Sequence, residues 1–135
     1  MTKYTALIVD DEPDIRELLE ITLTRMGITT LTAPDLTSAR KLLEQNTTHL
    51  CLTDMNLPDG NGIELVQWIQ KHSPATPVAV ITAYGNMDTA IESLKAGAFD
   101  FVSKPVELPR LRELVNSALK LAEPKADAED TADEP

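Results

Sequence analysis

Five short apolar runs alternate with segments of helical periodicity along this chain, and four of the five stop at a polar residue. Tyr4 to Val9 ends at Asp10-Asp11, Leu50 to Thr53 at Asp54, Val78 to Ile81 at Thr82, and Phe99 to Ser103 at Lys104. Short, near-continuous apolar runs separated by helices read as strands of a parallel sheet covered on both faces. In an open sheet of that kind ligands bind in the crevice outside the carboxyl ends of the strands. The pattern therefore predicts that three acids, a hydroxyl and an ammonium gather at one rim.

The helices follow from spacing and punctuation. Glu12-Pro13 opens the first, with proline tolerated in the first turn, and Ile15, Leu18, Leu19, Thr22 and Met26 form its apolar stripe before Gly27. Ile28 to Thr32 is a Thr-rich strand, followed by a helix from about Asp35 to Gln45 with Leu36, Ala39, Leu42 and Leu43 inward. Leu57-Pro58-Asp59-Gly60 signals a turn, and Asn61 can cap a helix with Leu65, Val66 and Ile69 at core spacing and Trp68 at the stripe's edge. Further helices run from Met87 to Lys95 and from Leu108-Pro109 onward, the latter with Leu111, Leu114, Val115, Ala118 and Ala122 in register. Right-handed crossovers restrict the winding of five such units. The expected fold is α/β, a flavodoxin-like doubly wound five-stranded parallel sheet of order 2-1-3-4-5 with five helices.

Composition narrows the function. The 12 basic and 22 acidic residues leave a net charge of -10, which argues against nucleic-acid binding by this segment. Residues 123–135 hold six acids and one lysine with nothing more apolar than alanine, so they are expected to be a disordered acidic linker leading to a downstream domain, with the folded unit spanning 1–122. No apolar run suits export or membrane spanning, and a cytoplasmic location is the expectation. The single cysteine, Cys51, sits inside an apolar run and reads as a buried hydrophobe. His49 and His72 lack metal-ligand spacing and read as surface residues. No Gly-x-Gly-x-x-Gly, Walker or nucleophile-elbow sequence is present.

The chemistry lies in the rim. Asp10, Asp11 and Asp54 repel one another, and such a cluster raises a pKa or recruits a cation. Mg2+ suits it, since that ion takes oxygen ligands and binds through one or two carboxylates plus a substrate phosphate. Asp10, Asp11 and Glu12 could instead serve only the first helix's dipole, but that leaves Asp54 on the neighbouring strand without explanation. Asp54 could be a ligand alone or a nucleophile that forms an aspartyl-phosphate, with Lys104 neutralising the phosphoryl oxygens and Thr82 donating to them.

These motifs, Leu-Ile-Val-Asp-Asp-Glu-Pro, Leu-Thr-Asp-Met-Asn-Leu-Pro-Asp-Gly-Asn-Gly, Val-Ile-Thr-Ala-Tyr-Gly and Gly-Ala-Phe-Asp-Phe-Val-Ser-Lys-Pro, resemble the CheY-like receiver domains of two-component response regulators from Tyr4 to about Leu121. The last two look most like receivers of the NtrC class, which precede an ATPase domain in sigma-54-dependent transcription activators. The resemblance implies that Asp54 is the phosphoacceptor, Asp11 a direct Mg2+ ligand, Asp10 its water-mediated companion, and Asn56 the donor of a backbone carbonyl to the metal. It also implies that Thr82 is the switch hydroxyl, Lys104 the phosphate-pairing lysine and Phe101 the switch aromatic, a position where many receivers carry Tyr. The Lys104-Pro105 bond is expected to be cis.

The expected function is a phosphorylation-dependent switch charged by a sensor histidine kinase and catalysing only its own phosphotransfer and dephosphorylation. Its expected output is a homodimer through the face of the fourth and fifth helices, controlling ATPase and DNA-binding domains downstream. A phosphohydrolase of the haloacid-dehalogenase kind would need a second acid where Asn56 stands. A phosphorylation-independent interaction module would not need the full set of polar rim residues.

Overall fold

In the computed structural model, which describes residues 4–83 and 85–122, the apolar runs form a parallel sheet. Its strands are β1 (Thr5–Val9), β2 (Thr29–Ala33), β3 (Leu50–Asp54), β6 (Val78–Thr82) and β7 (Asp100–Ser103), in the spatial order β2-β1-β3-β6-β7. This is the doubly wound order expected from the sequence. Two further strands, β4 (Asn56–Leu57) and β5 (Gly60–Asn61), make a small antiparallel hairpin around the Pro58-Asp59 turn. The acidic stretch from Glu123 onward, expected to be a linker, lies outside the described residues.

Five helices cover the sheet: α1 (Pro13–Arg25), α2 (Leu36–Gln45), α3 (Gly62–His72), α4 (Met87–Ala96) and α5 (Leu108–Ala122). Alternate strand residues face opposite layers, as the two-residue period of a strand requires. Leu7, Val9, Cys51, Val78 and Val80 pack with Leu36, Leu43, Leu65 and Ile69 of α2 and α3. Ala6, Ile8, Leu50, Leu52, Ala79 and Ile81 pack with Leu19, Leu23, Leu111 and Leu114 of α1 and α5. Cys51 is fully buried, which pushes its thiol pKa up and leaves it the apolar filler expected of it.

Local chemistry sets the helix boundaries. Asp35 accepts from the Ser38 N–H at 2.8 Å and Asn61 from the Glu64 N–H at 3.0 Å, each occupying the N-cap position. Gly27, at φ +84°, takes the left-handed conformation that lets the chain leave α1. In α1 the buried residues are Leu19, Thr22 and Leu23, whereas Leu18, placed inward by its spacing, is 37% exposed. The contact with the sheet centres on the Leu19–Leu23 pair, one turn apart, and Leu18 lies about 100° round the helix from its neighbour.

His49 also departs from expectation. It is half-buried, and its Nδ1 accepts the Thr5 N–H at 3.0 Å while its ring meets Tyr4 edge-on at 5.3 Å. It satisfies a backbone donor where the sheet begins. His72 is exposed as expected and stacks on the half-buried Trp68.

Asp59 joins two elements. Its carboxylate accepts from the N–H groups of Leu36 at 2.8 Å and Thr37 at 3.0 Å and from the Thr37 hydroxyl at 2.9 Å, tying the β4–β5 turn to the start of α2. Those donors hold the Asp59 pKa below its usual value. A depressed acid contributes stability above its unfolded pKa and loses it as pH falls through the folded one. Asp59→Ala is therefore expected to lower the thermal midpoint measured by circular dichroism at neutral pH. The gap from the parent should narrow in acid below the ordinary carboxylate range.

Candidate functional site

Register places the rim. Val9 pairs with Thr53, Asp54 with Ile81, and Thr82 with Ser103, so β6 and β7 end level, β1 and β3 each stop one residue short of the next strand, and Asp10, Asp54, Thr82 and Lys104 all fall at one rim. Asp10, Asp11 and Asp54 each offer a carboxylate oxygen within 4.8 Å of the other two. Asp10 is fully buried and Asp54 nearly so, while Asp11 is exposed. Thr82 is buried at the end of β6, and its carbonyl accepts the Lys104 N–H at 2.8 Å, which fixes the lysine's main chain to the neighbouring strand. The Lys104-Pro105 bond is cis, as expected.

The Lys104 ammonium enters this crevice. It stands 3.2 Å from Asp54 Oδ1 and 3.9 Å from Asp10 Oδ2. It also stands 3.1 Å from Glu12 Oε1, a partner that local pattern did not reveal, because the pairing spans 92 positions. Asp54 is further held by its own neighbours: Oδ1 accepts the Met55 N–H at 3.0 Å, and the Asp54 carbonyl accepts the Thr53 hydroxyl at 3.0 Å. Arg16 donates to the Asp10 carbonyl at 2.7 Å, anchoring the loop that carries the first two acids.

Burial dominates the electrostatics. It pushes Asp10 up to about 6, with the Asp54 charge adding to it and the Glu12 N–H and Lys104 opposing it. Burial also raises Asp54, against the pull of the Lys104 charge and hydrogen bond and of the Met55 N–H. Burial alone would lower Lys104, but its hydrogen bond to Glu12 and the charges of Asp54 and Asp10 outweigh that and hold it up. Lys104 does not satisfy the cluster: Asp10 Oδ2 is buried without a hydrogen-bond partner among the described residues. Three converging carboxylates with such an orphaned oxygen suit a hard divalent cation such as Mg2+. Asn56, the expected carbonyl donor, opens β4 two residues after Asp54.

Phe101 is half-buried on β7, one strand from Thr82, paired in register with Val80. The loop after it borders an open cavity of about 510 Å³ lined by residues that include Phe101, Lys104, Pro105 and Arg110. On α4, Met87, Ile91 and Leu94 are exposed apolar side chains. The sheet thus places Thr82 and Phe101, the residues expected to switch, on adjacent strands, and among the described residues the exposed apolar side chains of α4 are left uncovered.

A doubly wound sheet carries an acid triad, a buried threonine and a lysine at its carboxyl rim, and the chain belongs to the response regulator receiver domain family, which it matches over residues 6–116. It is 63% identical over 127 residues to the response regulator protein PilR of Pseudomonas aeruginosa, covering 94% of this chain and 28% of that protein. It is 36% identical to the regulatory protein AtoC of Escherichia coli, covering 85% of this chain and 25% of that one. The chain spans about a quarter of the length of these relatives. Among solved structures, the receiver domain of NtrX from Brucella abortus has a TM-score of 0.82 and 36% identity, over 85% of this chain and 98% of that one. The beryllofluoride-activated NtrC4 receiver domain dimer has a TM-score of 0.83 and 32% identity, over 88% of this chain and 98% of that one. These NtrC-class relatives agree with the subclass that the motifs resemble.

Proposed function

We propose that this domain is a phosphorylation-dependent switch that accepts phosphate on Asp54 from a sensor histidine kinase. The observation that carries the reading is the position of Asp54 Oδ1, 3.2 Å from the Lys104 ammonium and within the acid cluster with Asp10 and Asp11. In the transfer, an Asp54 oxygen forms a bond to phosphorus while the bond from phosphorus to the kinase imidazole breaks, the ring nitrogen keeping the electron pair. Bound Mg2+ would neutralise charge on the phosphoryl oxygens. Asp10, Asp11, Asp54 and the Asn56 carbonyl are the groups that would hold it. Lys104 pairs with a phosphoryl oxygen, and the Thr82 hydroxyl donates to another. The chain performs only this self-directed phosphotransfer and the hydrolysis that follows, in which water takes the phosphoryl group from Asp54 and inorganic phosphate leaves.

The output follows from the neighbours of Thr82. Drawing its hydroxyl toward the phosphoryl group opens space beside β7 that the Phe101 ring can enter, re-biasing a two-state equilibrium at the face of α4 and α5. Homodimerisation through that face, which carries Met87, Ile91 and Leu94, would then control ATPase and DNA-binding domains of a cytoplasmic sigma-54-dependent activator. The dimeric activated NtrC4 receiver supports this reading.

The test is borohydride trapping of the acyl phosphate after incubation with Mg2+ and a small phosphodonor, mapped by mass spectrometry. Label is expected on Asp54 alone and is expected to vanish in Asp54→Asn. Thr82→Ala should still take label but lose most activation-dependent association in analytical ultracentrifugation. Label on another residue defeats the phosphoacceptor assignment, and full dimerisation of Thr82→Ala defeats the output route.

A further inference from the structure

Lys104 is a shared cation, and the nearest of its three acidic partners is Glu12, which is not among the three acids of the metal cluster. Glu12 occupies the N-cap position of α1, yet its side chain makes no capping bond there. Its N–H instead donates to Asp10 Oδ1 at 2.9 Å, so its main chain is fixed against the site. The side chain, 58% exposed, crosses to the ammonium from the solvent side. Glu12 therefore holds Lys104 between itself and Asp54, at 3.1 and 3.2 Å.

We propose that Glu12 is a positioning residue for phosphoryl transfer: its carboxylate competes with the incoming phosphoryl oxygens for the Lys104 ammonium and so restrains the rate at which Asp54 is charged. The proposal rests on the reading of Asp54 as phosphoacceptor. When acetyl phosphate is the donor, the bond from Asp54 to phosphorus forms as the bond from phosphorus to the acetate oxygen breaks, and acetate leaves with the electron pair. Lys104 assists only as far as it can reach the phosphoryl oxygens. An ammonium paired with Glu12 gives up that ion pair to do so, and the Glu12 charge itself repels the arriving dianion. Both effects slow charging. Removing the Glu12 charge also leaves Lys104 more firmly on Asp54 and Asp10, where it opposes metal entry. The two consequences move different observables.

The experiment uses Glu12→Gln with acetyl phosphate over a range of Mg2+ concentrations, with Glu17→Gln, an exposed acid in α1, as a charge control. At saturating Mg2+ the charging rate of Glu12→Gln is expected to rise about two- to fivefold, within what a solvent-exposed ion pair can alter. The Mg2+ concentration for half-maximal rate should rise with it, and Glu17→Gln should change neither. General damage to the fold would lower the rate. In the metal-free protein, the nitrogen resonance of the Lys104 ammonium should shift in Glu12→Gln and not in Glu17→Gln. A charging rate that is unchanged or lower, or a Lys104 resonance that does not move, overturns the proposal. Absence of label on Asp54 in the parent would overturn the phosphoacceptor reading instead, and the resonance would still decide whether Glu12 holds Lys104.

Discussion

Asp10→Asn is expected to stabilise the metal-free domain at neutral pH by about 3 kcal/mol, although it removes a residue from the centre of the site. Asp10 is fully buried, and its pKa in the folded state is raised from 3.8 to about 6. A raised acid pKa means that the native state holds its proton more tightly than the unfolded state does. Through the window from 3.8 to about 6 the native chain binds more protons, so stability falls as pH rises and the full cost is present at neutral pH. The amide keeps the shape and carries no charge to bury. Urea titrations of the metal-free parent should therefore show stability increasing as pH falls from 7 toward 4, and Asp10→Asn should show a shallower slope, the part that remains coming from the raised Asp54. Added Mg2+ should stabilise the parent more than the variant, because the parent offers the ion a third carboxylate beside Asp11 and Asp54, and that third one is buried. If Asp10→Asn is no more stable than the parent at neutral pH, the buried carboxylate is not the unfavourable charge inferred from its surroundings.

Gly62→Ala is expected to act in the opposite direction. A Cβ at Gly62 would lie 2.7 Å from the Asp54 carbonyl oxygen and 3.3 Å from Met55 Cα, both backbone atoms that no rotamer change can move aside. Gly62 also donates its N–H to the Met55 carbonyl at 2.8 Å, so the first residue of α3 is docked on the strand end that carries Asp54. Alanine in place of glycine within a helix ordinarily gains about 1 kcal/mol. A net loss therefore measures the clash. The urea midpoint should fall by an amount equivalent to about 1–3 kcal/mol, the usual cost of overpacking. Because the displaced atoms belong to Asp54 and Met55, charging of Asp54 should slow by roughly 10²-fold, as displacement of a reacting group by about 1 Å can cost that much. A midpoint equal to the parent's would show that α3 can move away without penalty.

The sequence reading and the structure agree most closely where one local rule suffices. The ends of the five principal strands lie within about one residue of the apolar runs that indicated them, because turn and polar residues follow each run closely, although Asp54 and Thr82 themselves extend β3 and β6 by one buried residue. Asn61 could be read as a cap, since its side-chain amide oxygen is placed to accept the N–H three residues on, that of Glu64. Leu18 was misplaced because helical spacing defines a stripe about one residue wide, and its exact centre depends on what α1 packs against. The β4–β5 hairpin was read only as a turn, two residues per strand being too short to show an alternating pattern.

By itself the sequence determined which residues would meet at the rim. Parallel strands joined by right-handed crossovers all end on the same side, so a polar residue placed directly after each run must enter one crevice whatever the details of packing. Only the tertiary structure decided what those residues do to one another. The 3.1 Å pairing of Lys104 with Glu12, the orphaned oxygen of Asp10, the reach of Asp59 to α2 across 23 positions and the contact of Gly62 with Asp54 all depend on distances between elements far apart in the chain. Periodicity encodes which face of an element is apolar. It carries no information about how far that face stands from its neighbour, and charge interactions and steric clashes vary steeply with that distance.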